Sequence, residues 1–255
     1  MNWKERPEII GENNISDGVE IAGNNVTSKY GYYGKAAAWD VGDVHMKGGA
    51  GQMNTIYSWG TLKEAGIIFD MDGTLWDSTV GVAESWNEIL KQEKVNRTPL
   101  TVEDFRGIMG KTMDVIAAKF FPDMPEKERM ELLDKCGEYE NEYLSGHGAV
   151  LYPGVEETFA KLKEKYELYI VSNCQSGYIE AFLSYYNLGK YISDIECYGN
   201  NEKQKEDNIA LVVSRNALTD AVYVGDIQSD YESSKKAGVA FIHAAYGSVS
   251  YTHLT

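Results

Sequence analysis

From residue 66 onward the chain switches between two kinds of hydrophobic spacing. GIIFD (66–70) is a short, β-rich apolar run that follows a glycine and ends in polar turn formers, which predicts a buried strand. ELYIVSN (167–173), AVYVGD (221–226) and VAFIHAAYG (239–247) predict three more. Helical spacing lies between them. Val82, Trp86, Ile89 and Leu90 share one face, Leu132, Cys136, Tyr139 and Tyr143 a second, and Ile179, Phe182, Leu183 and Tyr186 a third, while DYESSKKAG predicts a helix stopped at Gly238. Strands alternating with helices predict an α/β fold, a Rossmann-like parallel sheet with helices on both faces and its sites at the carboxyl ends of the strands. Residues 79–149 carry helical spacing only. They predict an all-helical insertion that leaves through the YPGV turn (152–155), so that the α/β core comprises 65–78 and 150–248.

Residues 1–64 read differently. They hold ten of the 25 glycines, Asn-Asn pairs and no clear period, which favours turns, short strands or a poorly ordered lead-in over a packed unit. Met53 is a candidate natural start, with the part upstream an appendage or a misjoined reading frame. At the other end, VSYTHL (249–254) resembles the translation of a sequencing adapter, so 249–255 is expected to be a non-native tail and the natural protein to continue differently after about Gly247.

With 43% hydrophobic residues the chain can bury a sizeable core. Its net charge of −15 argues against nucleic acid or an anionic membrane as partner, and means that an anionic substrate needs a cation to meet it. Cys136, Cys174 and Cys197 show no metal spacing and read as reduced. MNWKERPEII has no apolar leader and no stretch reaches membrane-span length, so the expected location is the cytoplasm.

The chemistry concentrates where predicted strands end. In an extended strand, side chains two apart point the same way, so Asp70 and Asp72 of FDMDGTLWDS can face one pocket. Two adjacent carboxylates repel, and either a proton or a hard cation such as Mg²⁺ offsets that. Gly73 suits a turn and a close approach to an anion, and Thr74 adds a hydroxyl. GDIQSD supplies Asp226 at a strand end and Asp230 at the start of the next helix, where an acid also serves as a plain cap. Ser172 and Asn173 follow another strand, and Lys203 and Lys205 precede a helix. Taken singly, each has an ordinary structural explanation.

In this order, DxDGT, Ser, Lys and GDxxxD resemble the haloacid dehalogenase-like hydrolases, and specifically their phosphoglycolate-phosphatase-like and phosphosugar-phosphatase-like members, over residues 65 to 247. The resemblance implies that Asp70 is the nucleophile forming an aspartyl-phosphate and that Asp72 is the general acid and then base. It implies Mg²⁺ held by Asp70, the carbonyl of Asp72 and Asp226, with Asp230 assisting through water. Ser172 would bind the phosphoryl oxygens beside Gly73, Thr74 and Asn173. Lys205, preferred over Lys203 for its spacing to the helix although the proline usual after this lysine is absent, would face both the phosphoryl group and Asp70. The helical insertion resembles the family's cap domain, and FRGIMGKTM (105–113) its specificity loop, with Arg106 and Lys111 as substrate contacts; a solvated turn explains that loop equally well. The implied activity is Mg²⁺-dependent hydrolysis of a small phosphorylated metabolite. A phosphosugar mutase of the same family and an inactive binding module are the alternatives. A dehalogenase is disfavoured because that branch lacks the second acid, and a phosphonate hydrolase needs a cap lysine for which Lys111 is a distant candidate.

Overall fold

The structure is a computed structural model that describes residues 65–106, 108 and 110–247, together with the backbone of three short strands earlier in the chain. Those strands, β1 (Val19–Ala22), β2 (Asn25–Ser28) and β3 (His45–Gly48), form a small sheet of their own, with β1 antiparallel and β3 parallel to β2. Met53 and the tail at 249–255 lie outside the described residues.

The core is a five-stranded parallel sheet of β4 (Ala65–Phe69), β7 (Glu167–Ser172), β8 (Ile192–Cys197), β9 (Asp220–Gly225) and β10 (Ala240–His243), in the order β10-β9-β4-β7-β8. Strand β4 lies at the centre and is buried throughout, which is why its sequence is unbroken apolar rather than alternating. The pleat sends Ile67, Phe69, Leu168, Ile170, Val222 and Val224 to one apolar layer and Ile68, Tyr169, Val171 and Tyr223 to the other. Phe159 of α5 (Val155–Lys163) and Ile179 and Phe182 of α6 (Tyr178–Tyr185) belong to the first layer. Ile209 and Val212 of α8 (Lys205–Arg215) belong to the second. Two further helices complete the core, the short α7 (Tyr198–Asn201) and α9 (Gln228–Lys236). Helices therefore cover both faces, as the spacing predicts.

The insertion consists of α1 (Thr79–Gln92), α2 (Val102–Arg106), α3 (Met113–Phe120) and α4 (Glu126–His147). A two-stranded antiparallel ribbon brackets it, β5 (Trp76–Asp77) against β6 (Val150–Leu151). Edge-to-face contacts of Trp86 on Phe105 (5.3 Å) and Phe105 on Phe120 (5.2 Å) tie α1, α2 and α3 together. Of the predicted face of α4, Leu132 and Cys136 are buried and Tyr139 and Tyr143 are half-buried at its flank, while the buried stripe continues instead through Leu133, Gly137, Glu140 and Leu144. A charged residue thus stands at a core position of α4. Among the described residues no helix is long and apolar enough to cross a membrane.

Candidate active site

The end of β4 and the turn after it position the first two acids. Asp70 continues the strand, its N–H donating to Val224 O at 2.8 Å, and the chain then reverses at Gly73, whose φ of +82° is a conformation that favours glycine. The Gly73 N–H donates to Trp76 O (2.9 Å), so this glycine acts in the turn and its amide is already paired. Thr74 directs its hydroxyl to Asp226 Oδ1 at 3.2 Å, joining the turn to the end of β9. Tyr246 closes the outer side by donating to Thr74 O at 2.8 Å.

Asp70, Asp226 and Asp230 come together, with one carboxylate oxygen from each inside a 4.8 Å cluster and all three buried. Lys205, the first residue of α8, puts its ammonium between two of them, 2.9 Å from Asp70 Oδ1 and 2.7 Å from Asp230 Oδ1. Lys203 is exposed, and its N–H donates to Asn201. Burial pulls the Lys205 ammonium toward lower pKa, but Asp230 and Asp70 outweigh it and hold the group well above its ordinary value. Burial also drives the Asp70 carboxyl well above its usual range; Asp230 adds to the rise and Lys205 opposes it. One ammonium against three buried carboxylates is a site short of positive charge. Its donors are hard oxygens, and a divalent cation is what such a set fits.

The two oxygens of Asp230 are engaged within the protein. Oδ1 accepts from Lys205, and Oδ2 accepts the N–H groups of Asp226 and Ile227, both at 3.1 Å. This acid caps α9 and orients Lys205 at once, and in that geometry it stands behind the cluster as a support. Gly225 makes the arrangement possible, since a Cβ there would come within 2.5 Å of Asp230 Oδ2.

Asp72 is held from the other side. Its Oδ1 accepts from Ser78 Oγ (2.6 Å) and Tyr178 Oη (2.7 Å), and burial raises its carboxyl above the ordinary value against the pull of those hydroxyls. Asp77, next to Ser78, caps the insertion's first helix by accepting the Thr79 N–H at 3.1 Å. Ser172 is buried at the end of β7, and Asn173 donates to Gly110 O at 2.8 Å while its Oδ1 is buried with no partner.

A cavity of about 40 Å³ opens between the end of the sheet at Asp72 and Ser172 and the insertion, lined among others by Asn173, Lys111, Glu140 and Tyr178. Lys111 therefore reaches it. Arg106 does not line it; its exposed guanidinium pairs with Glu103, three residues earlier on α2. Tyr178 and Glu140 escaped the sequence reading. Glu140 had one signal, a charged residue at the apolar period of α4.

Residues 67–244 match the model of the haloacid dehalogenase-like hydrolases. The chain belongs to that family. It is 28% identical over 192 residues to a phosphoglycolate phosphatase of Pseudomonas fluorescens (strain Pf-5), covering 71% of this chain and 69% of that one. It is 26% identical over 211 residues to the phosphoglycolate phosphatase of Shigella dysenteriae, covering 71% and 81%. Among solved structures, a predicted phosphoglycolate phosphatase from Haemophilus somnus superposes with a TM-score of 0.64 at 25% identity, covering 76% of this chain and 90% of that one. A haloacid dehalogenase-like hydrolase from Bacteroides fragilis superposes with a TM-score of 0.65 at 19% identity, covering 74% and 91%.

Proposed function

We propose that this hydrolase is a phosphatase that releases phosphate from a small phosphorylated metabolite through an aspartyl-phosphate on Asp70. The observation that carries the reading is the buried cluster of Asp70, Asp226, Asp230 and Lys205, short of positive charge and set beside a second acid, Asp72. Asp70, Asp226 and the main-chain carbonyl of Asp72 would hold Mg²⁺, with Asp230 supporting them; when bound, the ion supplies the positive charge that a phosphate dianion needs beside a carboxylate.

The residues divide the work. The Asp70 carboxylate attacks phosphorus, and the bond from phosphorus to the alcohol oxygen breaks. Asp72 arrives at that moment protonated, which its burial favours, and gives the proton to the departing oxygen. Ser172 and Lys205 hold the phosphoryl oxygens, and Lys205 reduces the repulsion between Asp70 and the incoming dianion. Asp72, now ionised, takes a proton from water as its oxygen attacks the aspartyl-phosphate, and phosphate and free Asp70 result. The helical insertion works as a cap that excludes water and reads the leaving group.

The test is a phosphate-release screen with Mg²⁺ over sugar phosphates, nucleotides, pyrophosphate and phosphoglycolate, the last chosen because relatives bear that name. Asp70→Asn, folded by circular dichroism, should release no phosphate. Activity retained in that variant, or an isomerised sugar phosphate in place of free phosphate, overturns the reading.

A further inference from the structure

The cap contributes to the cavity a buried carboxylate that the chemistry above does not use. Glu140 on α4 is 3% exposed, and its two oxygens accept one N–H each, Oε2 from the Trp86 indole and Oε1 from Gln175 at 3.0 Å. An ionised carboxylate has about four acceptor positions, so two are left over on a group that lines the cavity. No ammonium or guanidinium among the described residues pairs with it. A second acceptor lies in the same lining, the partnerless Oδ1 of Asn173. Buried acceptors without donors are costly in an empty site and selective in a filled one, because a ligand that brings a donor satisfies them and one that lacks it does not.

Resting on the phosphatase reading, we propose that Glu140 is the specificity-determining residue of the cap, selecting a phosphomonoester whose alcohol carries a further hydroxyl and rejecting one that carries a carboxylate. The hydroxyl donates to Glu140, with Asn173 Oδ1 as a neighbouring acceptor, while the phosphoryl group meets Ser172 and Lys205. Above its own titration, as at pH 8, Glu140 is ionised, and a carboxylate at the same place would be repelled with no proton to share. Lys111 lines the cavity too, but it is exposed, and solvent and salt screen its charge where they do not screen a buried one. A cavity of about 40 Å³ suits a leaving group of only a few heavy atoms. The preference therefore runs opposite to the name borne by the relatives.

Four esters of nearly equal size test this: ethyl phosphate, 2-hydroxyethyl phosphate, phosphoethanolamine and phosphoglycolate, assayed by phosphate release with Mg²⁺ at pH 8. The wild-type kcat/KM should be at least tenfold higher for 2-hydroxyethyl phosphate than for phosphoglycolate, with ethyl phosphate between them. In Glu140→Gln the ratio of 2-hydroxyethyl to ethyl phosphate should fall toward one, mainly through KM. A wild-type preference for phosphoglycolate overturns the proposal, and this arm needs no variant. A ratio unchanged in Glu140→Gln while both rates fall together also overturns it, since a purely structural glutamate behaves that way. Phosphoethanolamine above 2-hydroxyethyl phosphate replaces the hydroxyl by an ammonium and overturns the stated substrate class. Release from none of the four, nor from the wider screen, removes the phosphatase reading itself.

Discussion

The hydroxyl of Tyr178 lies 2.7 Å from Asp72 Oδ1 and 2.8 Å from Ser78 Oγ, so a residue at the start of α6 fixes an acid 106 positions earlier in the chain. The ring itself is anchored edge-on to Trp76, with centroids 5.4 Å apart. Orientation and packing are thus separable. Tyr178→Phe keeps the ring and removes only the hydroxyl, leaving Ser78 as the one hydroxyl on Asp72 Oδ1. A hydrogen bond to a charged group is worth about 1.5–3 kcal/mol, so kcat should fall by roughly ten- to a hundredfold with KM little changed. Steady-state kinetics on any phosphoester that is hydrolysed measures this, and a wild-type kcat would remove Tyr178 from the positioning of Asp72.

Lys205 offers a test on stability. Its ammonium is 3% exposed and faces two buried carboxylates, and Lys205→Met leaves those acids without the cation. Removing one partner of a buried pair costs about 3–5 kcal/mol, which urea unfolding at pH 7.5 should register. The sign of the pH effect follows. Without the ammonium that opposes it, the burial-driven rise of the Asp70 carboxyl is larger, so the native state binds that proton more tightly than the unfolded chain does, the variant gains stability as pH falls, and its deficit should narrow at pH 5.5. A deficit that widens on acidification would contradict this account of the cluster.

Much of the fold and part of the site are legible in the sequence, for a local reason. Asp70, Asp72, Ser172 and Asp226 stand at or just beyond the ends of apolar runs, and a parallel sheet brings the carboxyl ends of its strands to one rim whatever the loops do. The cap is less legible because its contacts are distant in sequence. Tyr178 sits inside an aromatic-rich helix where packing explains it fully, and only its hydroxyl reveals the second role. Glu140 interrupts an apolar stripe, and its aromatic neighbours Tyr139 and Tyr143 give the adjoining face the stronger hydrophobic signal. For Arg106 and Lys111, a short glycine-containing turn has no period, so nothing local tells which of two cations points inward.

Glu140 also predicts a pH signature of its own. Burial raises its carboxyl from 4.5 to about 7, with the nearby charge of Asp72 adding to the rise and the Gln175 and Trp86 donors opposing it. The folded pKa exceeds the unfolded one, so the native state holds more protons between pH 4.5 and 7 and stability falls as pH rises through that window, by roughly 3 kcal/mol in total. Above pH 7 the contribution is flat. Asp70 and Asp72 shift in the same direction, so the readout is the difference between wild type and Glu140→Gln. The variant should show the shallower decline in denaturant midpoint from pH 5 to 7; parallel curves would mean that Glu140 does not titrate there.

Gly225 and Gly146 are both glycines in regular structure, yet alanine should act on them in opposite directions. A Cβ at Gly225 would stand 2.5 Å from Asp230 Oδ2 and 2.7 Å from its Cβ and Cγ. Asp230 cannot step aside without releasing Lys205 and the N–H groups of Asp226 and Ile227. Overpacking a site with no slack costs about 1–3 kcal/mol before those bonds are counted. Gly225→Ala should therefore lower Tm by roughly 5–10 °C and reduce activity, since Lys205 shifts with its partner. Gly146 is exposed in α4 with nothing within 4 Å of an added Cβ, and Gly146→Ala should stabilise by about 0.5–1 kcal/mol through helix propensity alone. Thermal melts of the two variants decide the matter, and a tolerated methyl at Gly225 would show that Asp230 has freedom the hydrogen bonds deny it.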